Sequence, residues 1–256
     1  MPSLSKIYYC QHIGQGALHF PVLLIHGAGS NHLCWPAEIR RQSGLHTVAL
    51  DLPGHGKSTG AGFHDLRSYS QALFDFISAA GWYRIFLVGH SMGGAIALQF
   101  SLDHPDLVLG LGLISSAASF SFRREMVELF RSHNTAELGR LEMRNLIAPR
   151  SGETQWFQKN PKSIWDERSS LWYADLRACS VFDVRAHLGN ITSPALIMAG
   201  TEDPLVPYSA ATFMADKMPN ASLVTSYQNG HMLMLEEPKT TAAHLNQFLL
   251  QNMPVI

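Results

Sequence analysis

Short apolar runs recur along the chain: VLLI at 22–25, TVAL at 47–50, IFLVG at 85–89, LGLISS at 111–116, ALIMAG at 195–200 and SLVTSY at 222–227. Their hydrophobicity is continuous, not alternating. A strand with one face in water alternates apolar and polar residues, whereas a strand covered on both faces carries no polar side. Runs of this kind predict a mostly parallel sheet with helices packed on both faces.

The segments between the runs supply those helices. Over 68–80, Tyr69, Leu73, Phe76, Ile77 and Ala80 share one helical face, with Ser68 and Gln71 spaced as a capping box and Gly81 as the stop. MGGAIALQF at 92–100 is small and apolar nearly all round, as in a helix packed deep against a sheet, and Pro105 limits its extent. Near the carboxyl end, Leu245, Phe248 and Leu249 form a stripe behind Pro238, a helix start. Between about 117 and 190 the alternation of strand and helix lapses. There SFRREMVELFRSHNTAELGRLEMRNLI and SIWDERSSLWYADLRAC read as amphipathic helices with no clear strand between them. The expected fold class is α/β, a mostly parallel doubly wound sheet with an inserted helical cap. The core takes 1–116 and 188–256, the cap 117–187.

Composition narrows the function classes. With 256 residues, 46% of them hydrophobic and 15% charged, the chain has enough apolar material for one main domain with an insertion. A net charge of −1 without long like-charged blocks gives no field for gripping a phosphate backbone, so nucleic acid is not an expected partner. No run of about 18 apolar residues marks a membrane span, and the first residues lack the pattern of a secretory signal, so a cytoplasmic protein is expected. Three scattered cysteines, Cys10, Cys34 and Cys179, suit reduced thiols. Thirteen histidines raise the question of a metal, but HExxH and close His/Cys ligand spacings are missing, so neither metal nor cofactor is expected.

The serine of GHSMGG, residues 89–94, sits where the buried run IFLVG turns directly into a helix. Side chains beside such a strained turn would collide with the chain, so the glycines make room while the hydroxyl is held outward. This arrangement resembles the nucleophile elbow of the α/β-hydrolase superfamily, particularly its cap-bearing serine esterases and lipases. LLIHGAGS, VALDLPGHGKS, VGHSMGG, AGTEDPLVP and NGHMLMLEEP follow in that family's order, across nearly the whole chain.

The resemblance implies a triad in the order serine, acid, histidine: Ser91, Asp203 and His231. A serine hydroxyl is a poor nucleophile at neutral pH and needs a base, which in turn needs a carboxylate to orient it. Glu202 competes with Asp203, which is preferred because the family places its acid immediately before a segment like PLVP. The backbone N–H groups of Ala28 and Met92 are the implied oxyanion hole. His26, His55 and His90 fall outside the chain order of the triad and read as structural.

GHGKS mimics the end of a phosphate-binding loop, but that motif would need glycine at 51, where the chain has Asp51, and Pro53 removes an amide. The aromatics Trp156, Phe157, Trp165, Trp172 and Tyr173 are candidates for a hydrophobic substrate pocket, against the plainer alternative that they pack the cap. Arg123, Arg124, Arg131 and Arg144 read as a solvated helix face before a carboxylate clamp.

The expected activity is carboxylesterase cleavage of small to medium apolar esters through an acyl-enzyme on Ser91. Serine at this position argues against haloalkane dehalogenases and epoxide hydrolases, which use an aspartate there. Carbon–carbon bond hydrolases, enol-lactone hydrolases and cofactor-free perhydrolases share the triad and stay open. So does a non-catalytic ligand sensor on the same fold. Monomer and homodimer are both compatible with the sequence.

Overall fold

A computed structural model of the chain describes residues 3–17, 20–147 and 164–254. Its centre is an eight-stranded sheet: β1 (Ser3–Leu4), β2 (Ile7–Ile13), β3 (Pro21–Ile25), β4 (His46–Leu50), β5 (Ile85–His90), β6 (Val108–Ile114), β7 (Ala195–Gly200) and β8 (Ala221–Ser226). The spatial order is β1-β2-β4-β3-β5-β6-β7-β8. From β4 through β8 every pairing is parallel, and β1 and β2 add antiparallel at one edge.

Each expected strand is present, and the reason for its unbroken hydrophobicity is visible within β3. Leu23 and Ile25 enter one core cluster while Val22 and Leu24 enter a second, on the opposite face. The first cluster is closed by α2 (Leu66–Ala79), α3 (Met92–Asp103) and α7 (Tyr208–Lys217). The second is closed by α1 (Ala37–Arg40) and α9 (Pro238–Gln251), which follows the short α8 (Leu233–Glu236). Each fully buried aliphatic or aromatic side chain contributes about 1.5–3 kcal/mol of transfer free energy, so covering both faces is worth more than covering one.

Helix α3 is buried from Met92 through Ser101, as its composition implies. The start of α2 differs from the expected capping box. Asp65 is the N-cap, its carboxylate accepting from the Ser68 N–H at 2.8 Å and from the Ser68 hydroxyl at 2.8 Å. Ser68 is thus the third helical residue, and the Gln71 amide donates to Asp75 one turn on. A carboxylate at the N-cap is also favoured by the helix dipole, a charge that the Ser68 hydroxyl does not carry.

Between β6 and β7 lie α4 (Arg124–Leu129), α5 (His133–Ile147) and α6 (Ser169–Ser180). No helix among the described residues is long and apolar enough to cross a membrane. Cys10, Cys34 and Cys179 are unpaired.

Candidate active site

The chain leaves β3 for β4 on one side and crosses back to β5 on the other. The loops at the carboxyl ends of β3 and β5 therefore diverge and leave a crevice, where ligands gather in open parallel sheets. The loop after β3 carries Gly27 to Ser30, and Ser91 follows β5 directly. Asp203 follows β7 and His231 follows β8, so sequence-distant residues converge on one end of the sheet.

Ser91 has φ 52 and ψ −119, a left-handed conformation that costs a non-glycine residue about 1–3 kcal/mol. The surroundings hold it there. The Ser91 N–H donates to the Ile114 carbonyl at 2.9 Å, and the Ser116 hydroxyl donates to the Ser91 carbonyl at 2.7 Å. A Cβ at Gly89 would lie 2.3 Å from the Gly93 backbone, and one at Gly93 would lie 2.2 Å from the Ile25 carbonyl oxygen. Backbone meets backbone at the elbow, so the glycines serve close approach as the sequence suggests.

The Asp203 carboxylate is divided between two tasks. Its Oδ1 accepts from the N–H groups of Leu205 and Val206, both at 2.9 Å, which leaves Oδ2 to accept from His231 Nδ1 at 2.8 Å. Since a carboxylate only accepts, the neutral imidazole carries its proton on Nδ1 and has a free lone pair on Nε2. Ser91 and His231 line the same cavity. Glu202, the competitor for the acid, is exposed, and its N–H donates to the Asn229 carbonyl.

Two side chains absent from the sequence-level site fix the His231 loop. Glu236 brackets His231, Oε2 accepting from the Gly230 N–H at 2.7 Å and Oε1 from the Met232 N–H at 2.9 Å. Burial pushes the Glu236 carboxyl up, against the pull of these two N–H groups. His90 Nε2 donates to the His231 carbonyl at 3.0 Å. Burial, and then the neighbouring His231, hold His90 well below the ordinary imidazole range, so it is a neutral prop.

His26 and His55 are likewise held inside loops. His26 Nδ1 donates to the Gly27 carbonyl at 2.8 Å and Nε2 accepts from the Leu52 N–H at 3.0 Å, a pattern only the neutral ring satisfies. Burial and the nearby His55 lower its pKa to about 4. The loop that imitates a phosphate-binding motif is filled by Asp51, whose carboxylate accepts from the N–H groups of His32 at 2.7 Å and Lys57 at 2.9 Å.

The N–H groups of Ala28 and Met92 have no acceptor among the described residues. Met92 opens α3, so its N–H lies at the positive end of the helix dipole, while its side chain is buried in the core. Ala28 lines the cavity with Ser91, His231 and a mostly apolar wall that includes Phe122, Met143, Trp165, Trp172 and Leu176.

The aromatic expectations divide. Trp165 and Trp172 line this cavity, whereas Tyr173 does not: one step round α6 from Trp172, it borders outer grooves, its ring 6.1 Å from that of His64. Trp156 and Phe157 lie outside the described residues. The side chains of Arg123, Arg124, Arg131 and Arg144 are on exposed positions, Arg123 pairing with Glu142 and Arg131 with Glu128, and none lines the cavity. Asp175 escaped the sequence reading altogether. Its signal was a carboxylate on the face of α6 that also carries Trp172, Leu176 and Cys179.

A serine on a strained turn, a carboxylate-oriented imidazole and two unengaged backbone donors can together support acyl transfer. The comparisons agree at the level of family. A sequence profile of the Alpha/beta hydrolase family matches residues 22–244, and the chain belongs to that family. It is 25% identical over 264 residues to a putative carbamate hydrolase, RutD, of Pseudomonas savastanoi pv. phaseolicola, covering 95% of this chain and 97% of the relative. To a pimeloyl-[acyl-carrier protein] methyl ester esterase of Nitrosomonas europaea it is 26% identical over 235 residues, covering 85% and 91%. A lipase-esterase related protein from Clostridium acetobutylicum has the same fold, with a TM-score of 0.84 at 23% identity over 95% of this chain and 99% of that one.

Proposed function

We propose that the protein is a serine carboxylesterase acting on small to medium apolar esters. The observation that carries this reading is the hydrogen bond from His231 to Asp203 in a cavity that His231 shares with the strained Ser91. Ser91 Oγ attacks the ester carbonyl as His231 Nε2 takes its proton. Asp203 stabilises the imidazolium, and the N–H groups of Ala28 and Met92 bind the oxyanion. His231 then protonates the departing alcohol, and water activated by the same imidazole releases the acid from Ser91. Each oxyanion donor contributes about 3–4 kcal/mol to the transition state.

The apolar wall supports an apolar substrate, since among the described residues no arginine or lysine faces the cavity to pair with a carboxylate. The helices α5 and α6 support a cap over 117–187, because they supply Met143, Trp172 and Leu176 to that wall. Unpaired cysteines suit a reducing compartment, in keeping with a cytoplasmic enzyme.

The test is hydrolysis of a p-nitrophenyl ester series from acetyl to long acyl chains, with wild type and Ser91→Ala side by side. Turnover in wild type alone, with a preference for the shorter chains, is the expected result. The named relative makes carbamate cleavage the second reading, which shares the same acyl transfer chemistry, so a p-nitrophenyl carbamate belongs in the series. Folded wild type that neither turns over any of these nor takes a fluorophosphonate label on Ser91 would leave a ligand sensor as the better description.

A further inference from the structure

Asp175 is wholly buried on α6, yet it lines no part of the Ser91 cavity. Its carboxylate gathers three donors from three separate parts of the core. Oδ2 accepts from the Gly29 N–H at 2.8 Å and from His55 Nε2 at 2.8 Å, and Oδ1 accepts from the Tyr69 hydroxyl at 2.5 Å. These partners belong to the loop after β3, the loop after β4, and α2.

The charge balance of the cluster follows from its hydrogen bonds. His55 faces an acceptor on each side, the Asp175 carboxylate at Nε2 and the Pro53 carbonyl at Nδ1, 3.1 Å away. Both nitrogens must donate, so the ring is an imidazolium beside the carboxylate. Burial works against that charge, but the field and hydrogen bond of Asp175 outweigh it and raise the His55 pKa. A buried ion pair of this kind is often replaceable by packed apolar residues without loss of stability. The ion pair also has no need of a third donor drawn from the backbone.

That third donor is what distinguishes this cluster. Gly29 follows Ala28, and the peptide plane carrying the Gly29 N–H shares the Ala28 Cα with the plane carrying the Ala28 N–H. Fixing one restricts the other. Gly29 has φ +59, and a Cβ there would lie 2.1 Å from the Trp172 ring, so α6 sits on this loop without a gap. Trp172 and Asp175 are one turn apart on the same helix face, one pressing on the loop and the other holding its N–H.

We propose that Asp175 is a positioning residue for the oxyanion hole: through its hydrogen bond to the Gly29 N–H it locks the loop after β3 onto α6 and aims the Ala28 N–H at the developing oxyanion. This rests on the serine hydrolase reading. It makes the seating of α6, an element remote from Ser91 in sequence, a condition for transition-state stabilisation. Asp175 itself touches no substrate.

The test compares kcat and KM for p-nitrophenyl acetate, and the inhibition constant of an aryl boronic acid that becomes tetrahedral on Ser91, in wild type and variants. Asp175→Asn keeps the shape but puts an amide N–H among donors, and Asp175→Glu keeps the charge but displaces the acceptor by a methylene. A misplacement of about 1 Å in a catalytic group can cost about 10²-fold in rate. Both variants should therefore lose kcat by about 10- to 100-fold at nearly constant KM, with boronate affinity falling by a similar factor.

Tyr69→Phe frees one oxygen of the carboxylate and is the milder probe, expected to fold and to lower kcat about 3- to 10-fold by partial loss of that positioning. Ile77→Val, a remote core change, should lower Tm and leave kcat unchanged. If Tyr69→Phe and whichever Asp175 variant folds match wild type in kcat and boronate affinity while losing only Tm, Asp175 is structural and the proposal is wrong. If wild type itself shows neither turnover nor Ser91 labelling, the hydrolase reading fails first and this one with it.

Discussion

Replacing Asp203 by asparagine separates the tautomer of His231 from everything else in the site. In the wild type, Oδ1 accepts from two backbone N–H groups and Oδ2 accepts from His231 Nδ1. Asparagine has one oxygen and one NH2 group, and the two loop N–H groups both demand the oxygen. The NH2 is then turned toward His231, which must offer Nδ1 as an acceptor and move its proton to Nε2. An imidazole in that state has no lone pair for the Ser91 proton. For a serine triad the wrong tautomer costs about 10⁴-fold in kcat, equivalent to about 5 kcal/mol at about 1.4 kcal/mol per decade. The change in folding stability should be much smaller, about 1 kcal/mol, because one hydrogen bond is exchanged for another of similar geometry. Steady-state hydrolysis of p-nitrophenyl acetate and thermal melting measure the two effects on the same samples. Glu202→Gln, at an exposed position beside Asp203, should stay within about twofold of wild type in kcat, since no step of the proposed chemistry uses its charge. An Asp203→Asn enzyme within tenfold of wild type would refute the assignment of Asp203 as the orienting acid.

Acid should destabilise the fold through His26. Its folded-state pKa, about 4, is below the ordinary imidazole value of 6.5, so the unfolded chain binds the proton first as pH falls. Its contribution is complete above pH 6.5 and is lost between there and about pH 4, about 3 kcal/mol in all, with His90 acting in the same direction. His55 opposes them, its contribution being present at low pH and lost as pH rises through its raised pKa. Urea midpoints from pH 4 to 7 should rise with pH, and a flat profile would contradict the neutral assignment of His26. Glu236→Gln puts an NH2 against one of the two N–H groups that bracket His231, and should lower both Tm and kcat, kcat by about tenfold. An unchanged kcat would show that the His231 loop holds itself. Leu205 borders both the Ser91 cavity, about 20 Å³, and an adjoining groove of about 340 Å³ lined by Ala117, Phe120, Val206 and Phe213. Leu205→Ala should shift the preferred p-nitrophenyl ester to a longer chain, and an unshifted profile would show that the groove takes no part in binding.

What the sequence made legible follows from how local each cause is. The strands β3 to β7 were readable because burial on both faces leaves an unbroken apolar run, a property each segment carries alone, whereas the half-buried edge strand β8 carries only the short run Leu223–Val224. β2 was not, because it lies near the antiparallel edge, with Ile7 buried but Gln11 and Ile13 exposed, and half-buried edge residues leave no such run. The elbow at Ser91 was readable because glycine is demanded by backbone contacts within a few residues and with the next strand. The cap of α2 was misplaced by three residues because Asp65 and Ser68 are both good capping residues, and only the position of the loop decides between them.

Asp175 marks the limit of that local reading. On α6 it occupies the same face as Trp172 and Leu176, so an amphipathic pattern marks it as a lone charge on an apolar stripe. A buried carboxylate is stable only with partners, and its partners here stand 146, 120 and 106 residues away, at Gly29, His55 and Tyr69. The anomaly therefore announces that something must lie opposite, without saying what. The same sequence supplied the answer in pieces: a histidine in GHGKS outside the expected triad order, and in HGAGS the glycine whose positive φ closes the turn from Gly27 to Ser30. Each looks like loop furniture alone. Brought together at the carboxyl ends of the adjacent parallel strands β3 and β4, they join α6 to the loop beside Ser91.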